Sequence, residues 1–238
     1  MNETRINKYI ALCGICSRRE ADTLIEAGRV FINGEKAELG SKVVEGDLVK
    51  IDDKEVKPEE KKVVAYYKPV GVTVTEADVH ANITLSEAFH YPTRLTYAGR
   101  LDEDSEGLLL MTNDGELIHC MMHGSNNHEK EYIVEVDKAI VPIIFERMQA
   151  GLYLPDLDVT TKPCKITPIN DTTFKIILTQ GLNRQIRRMC YECGLDVVSL
   201  KRIRVCNILL GDLKPNDYRE LTAEEVDELY RSVFTINE

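Results

Sequence analysis

Three clusters of side chains have the types and spacing that chemistry requires. The first is Gly99-Arg100-Leu101-Asp102-Glu103-Asp104-Ser105-Glu106-Gly107, a glycine-flanked loop running straight into the apolar stretch 108–111. A carboxylate there is held rigidly by the strand behind it and can face a cleft, although Asp102 or Asp104 could equally cap the turn. One carboxylate does not select a reaction: glycoside hydrolysis uses two, and no third acid pairs with these. The second cluster is Gln180-Gly181-Leu182-Asn183-Arg184-Gln185-Ile186-Arg187-Arg188-Met189. On a helix, Arg184, Arg187 and Arg188 fall three and four apart and form a cationic face beside apolar Ile186 and Met189. An arginine aimed into a cleft can hold an aspartate ionised, and the others suit phosphate. A solvent-facing basic helix is the plain alternative. The third cluster lies near the N-terminus, where Arg5 and Lys8 precede Arg18 and Arg19 at a helix start and Arg29 follows that helix. Helix-start amides favour phosphate and arginines add paired donors, but an exposed charged face has the same spacing.

Metal chemistry finds less support. Cys13/Cys16 and Cys190/Cys193 have the spacing of half a zinc site. Both pairs sit on or beside helices rather than on the tight loop of a zinc ribbon, so they are expected to pack as small apolar groups. His119 and His123, four apart, share a helical face without a carboxylate at ligand spacing, and are expected to be surface or packing residues. No metal and no cofactor are expected.

The elements that position these clusters fall into two domains. Ile6, Tyr9, Ile10 and Cys13 recur at helical spacing and stop at Gly14. Ser17-Arg18-Arg19-Glu20 fits a capping box, Ala21, Leu24 and Ile25 supply a buried stripe, and Gly28 ends that helix. A strand over 29–32 leads into the Asn33-Gly34 hairpin signal, and strands near 43–44 and 48–51 flank Glu45-Gly46-Asp47. Residues 1–52 are therefore expected to form a small α+β unit of two helices and an antiparallel sheet. Residues 53–62 are nearly all charged and include one proline, the composition of a solvated linker that permits hinge motion. Residues 63–238 form the second domain. Strands are expected at 63–67, 72–75, 108–112, 132–136 and 174–178, with a turn at Asn113-Asp114-Gly115. Helices are expected at 141–150, 184–192 and 222–233. The fold class is α+β.

Composition sets the outer limits. The 238 residues carry 30 Lys and Arg against 40 Asp and Glu, a net charge of −10, with 43% hydrophobic residues, which suits a folded chain and not a disordered one. The apolar runs fall far short of the roughly 20 residues that cross a bilayer. Seven cysteines, an odd number, and no export signal near Glu3 point to reduced thiols in the cytoplasm. An acidic total argues against a nucleic-acid partner, but its distribution matters more. Over 184–204 six cations face two acids, a local charge of +4, whereas Glu224, Glu225, Asp227 and Glu228 concentrate acid near the end.

Two resemblances add to this reading. The segments Arg5-Ile6-Asn7-Lys8-Tyr9-Ile10, Cys16-Ser17-Arg18-Arg19-Glu20-Ala21-Asp22 and 25–34 resemble an S4 domain, a small RNA-binding module. That likeness implies RNA contact by Arg5, Lys8, Ser17, Arg18, Arg19 and Arg29, of a kind that positions structured RNA through its phosphates. Over nearly the whole chain, Lys68-Pro69-Val70-Gly71, Gly99-Arg100-Leu101-Asp102, Asn113-Asp114-Gly115, Lys130-Glu131-Tyr132 and 181–189 resemble the pseudouridine synthases. The likeness is to the branch that holds small-subunit enzyme A and large-subunit enzymes B, E and F. Residues 128–132 and 180–190 look closest to the F type, which acts on large-subunit ribosomal RNA. Some members carry a basic C-terminal extension; the acidic helix before Glu238 offers no such grip.

The resemblance implies a catalytic domain with a mixed, mainly antiparallel sheet flanked by helices, an isomerisation of uridine to pseudouridine, and no cofactor. It implies Asp102 as the catalytic carboxylate, Tyr132 as its aromatic partner and Arg187 as the cation that pins Asp102. Arg100, Arg184 and Arg188 are left to hold RNA. Large-subunit RNA is the expected substrate, with transfer RNA as a second, for a monomer with no membrane association. A non-catalytic RNA-binding or ribosome-assembly protein is the alternative, and a metal-dependent nuclease a remoter one.

Overall fold

The computed structural model describes residues 3–75, 82–122 and 128–234. Two compact units emerge, residues 1–62 with 91–96, and the remainder of the chain.

In the first unit the helices Ile6–Leu12 and Arg18–Glu26 pack on a four-stranded antiparallel sheet ordered Glu35–Lys36, Val30–Ile32, Val49–Ile51, Lys54–Glu55. The Ser17 hydroxyl accepts the Glu20 N–H at 3.3 Å while the Glu20 carboxylate accepts the Ser17 N–H at 2.7 Å, the capping box that the sequence predicts. Fully buried Ile6, Ile10, Ala21 and Val30 form its core with Val49. Asn33 and Gly34 both have positive φ, as a tight hairpin needs. Asp52 and Asp53 do the same one hairpin later, because a short polar side chain tolerates the left-handed region. Residues 53–62 are largely exposed, and 56–62 form no helix or strand, but the segment is tied to the first unit at three points. Lys54–Glu55 is an edge strand, Val56 N–H donates to Val49 O at 3.0 Å, and Glu59 N–H donates to Leu12 O at 2.9 Å.

The second unit is built on one sheet. Its strands run in the order Lys165–Pro168, Thr173–Leu178, Lys130–Val136, Val197–Val205, Glu106–Thr112, Val63–Lys68, Tyr218–Glu220. Every pairing along this path is antiparallel except that of Glu106–Thr112 with Val197–Val205, so the sheet is mixed and mainly antiparallel, as expected. All six residues of Val63–Lys68 are buried, the mark of a strand covered on both faces. One core joins Val134, Phe174 and Ile176 to Met148 of the helix Pro142–Ala150 and Met189 of the helix Gln185–Tyr191. A second joins Ala65, Leu108 and Leu110 to Leu117 of the helix Gly115–Met122 and Leu229 of the helix Ala223–Phe234.

Two elements differ from expectation. Asn113-Asp114-Gly115 does not end in a turn: Asp114 is buried, its Oδ1 accepts the Glu116 N–H at 3.0 Å, and a helix follows. Val197–Val205, which carries much of the basic segment, is a central strand and the longest among the described residues. His119 lies in the last turn of Gly115–Met122; His123 lies outside the described residues. All seven cysteines are free thiols, with Cys13 and Cys190 buried. Among the described residues no helix is long and apolar enough to cross a membrane, and no group of three His, Cys, Asp or Glu side chains could hold a metal ion.

Candidate active site

The parallel pair at the centre of the sheet brings the loop before Glu106–Thr112 beside the first half of Val197–Val205. Glu106 and Gly107 lie opposite Lys201 and Arg202. Gly107 has φ +109°, and a Cβ there would fall 2.2 Å from the Arg202 carbonyl oxygen, so only glycine fits.

The loop itself is held by its carbonyls. Arg202, 2% exposed, donates from Nε to Leu108 O at 2.7 Å and from Nη1 to Arg100 O at 3.2 Å, clasping both ends of the segment. Fully buried Lys68 donates to Pro69 O and Val72 O, each at 2.8 Å, and reaches Glu103 O at 3.4 Å. Gly71 N–H also donates to Glu103 O at 2.8 Å, and Ser105 N–H to Asp102 O at 3.1 Å. Arg187 Nη2 donates to Asp104 O at 2.8 Å. Buried cations are tolerated here because main-chain oxygens satisfy them. Burial pushes the Lys68 pKa down to about 8, against the opposing pull of Asp104, Glu103 and Asp102.

Asp102 emerges from this loop into a cavity of about 310 Å³ that Tyr132, Arg100, Arg184, Lys130 and Arg202 also line. Tyr132 reaches it beside a bulge: Glu131 pairs with Arg204 and Tyr132 with Arg202, leaving Ile203 as the extra residue. Such a bulge re-aims the side chains next to it. Lys130 donates to His128 O at 3.1 Å, and burial, followed by the Arg202 charge, pushes its pKa down to about 8. His128 is buried with Nε2 3.2 Å from Cys120 O, and burial, then Lys130, pushes its pKa down.

The cations around Asp102 are arranged otherwise than expected. Arg184, at φ +51° just before the helix Gln185–Tyr191, is the cation nearest Asp102 among the described residues, with Nη1 3.9 Å from Oδ2. Its donors go to Asp104, in a bidentate pair at 3.1 and 2.7 Å. Arg187, expected to pin Asp102, instead holds Asp104: its Nε lies 3.2 Å from Asp104 Oδ2 without an aligned hydrogen bond, and it also donates to Val197 O at 3.2 Å. Burial alone would raise the Asp104 carboxyl, but the Arg184 hydrogen bonds and the charges of Arg187 and Arg184 hold it below the usual carboxylate range. Arg188 pairs with Asp156 and donates to Asn183 O at 3.1 Å; with Arg184 and Arg187 it lines a separate cavity of about 460 Å³.

Of the expected residues, Asp102, Tyr132, Arg100 and Arg184 thus share one cavity, while Arg187 and Arg188 line the other. In the first unit Arg5, Arg18 and Arg19 are exposed and Lys8 is half-buried. Arg29 is bound to Asp52 through Nε at 2.8 and 3.1 Å, and the Ser17 oxygen serves its helix cap. Sequence reasoning assigned no role to Lys68, Lys130, His128 or Arg202. Lys68 and Lys130 stand inside the marked Lys68-Pro69 and Lys130-Glu131-Tyr132 motifs, whereas Arg202 carries no local signal.

A loop-borne carboxylate, a phenol and several cations line one cleft on a mixed sheet, a set of groups suited to an anionic ligand that bears a flat ring. Comparison with known proteins narrows this. A family model described as RNA pseudouridylate synthase matches residues 62–192, and one described as S4 domain matches residues 4–49. The chain is 42% identical over 233 residues to the dual-specificity RNA pseudouridine synthase RluF of Salmonella typhi, covering 97% of this chain and 80% of that protein. It is 34% identical over 232 residues to the ribosomal large subunit pseudouridine synthase B of Bacillus subtilis, covering 94% and 95%. A crystal structure of a pseudouridylate synthase superposes with a TM-score of 0.69 at 29% identity, covering 94% of this chain and 99% of that one. The chain belongs to the RNA pseudouridylate synthase family. It is an RNA pseudouridine synthase with an S4 domain.

Proposed function

We propose that this enzyme isomerises selected uridines of ribosomal RNA, in the large subunit, and a uridine of transfer RNA as a second substrate, with Asp102 as the catalytic carboxylate. The observation that carries the catalytic assignment is the shared cavity: Asp102 and Tyr132 face one cleft, and the loop bearing Asp102 is held at its carbonyls by Arg202, Lys68 and Arg187. The relatives' names, one dual-specificity and one of the large ribosomal subunit, support the substrate assignment. The enzyme acts as a cytoplasmic monomer, the S4 unit gripping RNA through Arg5, Lys8, Arg18 and Arg19.

The reaction breaks the bond from uracil N1 to ribose C1′ and makes one from C5 to C1′; C5 loses its proton and N1 ends protonated. A stacked uridine must first be flipped out to bring its sugar to the cleft. Tyr132 offers its ring to the base. Asp102, as an anion, attacks C1′ or takes the C2′ proton, with the Arg184 guanidinium 3.9 Å away. No water is activated and no electrons are transferred to an acceptor, so these steps draw on side chains alone.

Replacing Asp102 with Asn tests the assignment, since it keeps the shape and removes the charge. Pseudouridine formation should vanish while RNA affinity stays within a few-fold; turnover by that variant would sink the proposal. Carbodiimide–primer-extension mapping of ribosomal and transfer RNA, with and without the enzyme, identifies the uridines, and a silent large subunit would overturn the substrate assignment.

A further inference from the structure

Lys130 and Arg202 line the active-site cavity beside Asp102 and Tyr132, and among the described residues neither is paired with an acid. Arg202 is buried, and its donors go to the main-chain oxygens of Leu108 and Arg100. Lys130 is half-buried and donates to His128 O at 3.1 Å. The charges that act on Lys130 are those of Arg202 and the Cys206 thiol. Buried Lys68 differs, since Asp104, Glu103 and Asp102 all act on it. An ammonium carries three N–H donors, so two of those on Lys130 are uncommitted among the described residues. Lys130 and Tyr132 stand two apart on the strand Lys130–Val136 and share a face. A ring laid against Tyr132 has Lys130 as its neighbour on that face.

The isomerisation presents one anion for such a cation to meet. Whether Asp102 attacks C1′ or takes the C2′ proton, the N1–C1′ electron pair departs with the base and spreads over N1, O2 and O4. We propose that Lys130 is a catalytic residue that donates to this detached uracil and stabilises its negative charge, with the Arg202 guanidinium adding its field from the neighbouring strand. The proposal rests on Asp102 being the group that opens the bond. No proton leaves Lys130: the pair returns to form the C5–C1′ bond, C5 then loses its proton and N1 gains one. A cation fixed in place before the reaction acts most strongly where charge develops, which is in the step that breaks the bond.

The test compares leaving groups on the intact enzyme. Ribosomal RNA is transcribed with uridine or with 5-fluorouridine, whose fluorine withdraws electrons and makes the base a better leaving group. Single-turnover loss of the N1-linked nucleoside reads bond cleavage in both. Lys130→Met should lower the rate on uridine about a hundredfold, the scale for removing one donor to a developing anion, with RNA affinity within a few-fold. On 5-fluorouridine the loss should be about tenfold, because a more acidic base needs less stabilisation. The ratio of the two rates does not depend on how much of the variant is folded, and Lys130→Gln gives a second variant on which to read it. A lysine needed only for packing predicts equal losses on the two RNAs, and equal losses overturn the proposal. So does a wild-type rate in Lys130→Met. Asp102→Asn run alongside keeps the claims apart: turnover there removes the catalytic assignment, whereas inactivity there with equal losses in Lys130→Met removes the role of Lys130 alone.

Discussion

Gly107 faces Arg202 across the parallel pair at the centre of the sheet, with no room between them for even a methyl group. At φ +109° an alanine would be strained in open space, and here its Cβ would also meet backbone that cannot swing aside. Gly107→Ala should therefore cost roughly 3 kcal/mol or more, at the upper end of backbone-strain effects, read as a lowered denaturation midpoint. The loss should extend to kcat in the fraction that stays folded, because Arg202 clasps Arg100 O and Leu108 O from that strand. An alanine variant as stable as the wild type would show that the two strands separate more easily than this geometry allows.

That pair also shows where the sequence was legible and where it was not. Ser17 and Glu20 announce their helix because the hydrogen bonds are local and the spacing states them. Asp102 is visible because glycines bracket it, and Tyr132 because of its motif. The strand Val197–Val205 is hidden because Lys201, Arg202 and Arg204 read as a charged patch. In fact Arg202 is buried, and its guanidinium is satisfied by carbonyls about a hundred positions away in the chain, which no local pattern reports. The contact expected between Arg187 and Asp102 goes to Asp104 instead, for a related reason. Three arginines at helical spacing are interchangeable in a pattern, whereas in the structure Arg184 sits outside the helix in the left-handed region and reaches both carboxylates. The charge of residues 53–62 rightly indicated solvent exposure but hid the turn at Asp52 and Asp53 and the short edge strand after it, whose pairing is through the main chain.

The buried Lys68 gives the protein a pH signature. In the unfolded chain this lysine keeps its proton up to 10.5; folded, it releases it at about 8. Below pH 8 both states are charged and the burial penalty is present in full. Between about 8 and 10.5 the unfolded state binds the extra proton, so stability contributed by this group rises with pH. Relative to Lys68→Met, the wild type should gain on the order of 3 kcal/mol across that window. The thiols of Cys13 and Cys190, each pushed up to about 12 by burial, act in the opposite direction above pH 9, but they are common to both proteins and cancel in the difference. Urea unfolding of both proteins at pH 7 and pH 10 measures it, and a difference that does not change with pH would mean that Lys68 keeps its charge when folded.

The arginines of the first unit should divide by what they already hold. Arg18 and Arg19 stand exposed in the first turn of Arg18–Glu26, where helix-start amides and guanidinium groups together suit a phosphate. Arg29 already carries the Asp52 carboxylate, and contact with RNA would require giving up that pair. Each phosphate contact removed lowers the slope of log affinity against log salt by about one. Replacing Arg18 and Arg19 together with Ala should therefore flatten that slope by about 1 to 2 and raise KM at unchanged kcat, whereas Arg29→Ala should leave the slope close to that of the wild type. Fluorescence anisotropy of a ribosomal RNA fragment titrated across a range of KCl concentrations reads both variants. Equal slopes for all three proteins would place the RNA grip on some other face of the molecule, since the phosphate contacts counted by salt would then lie elsewhere.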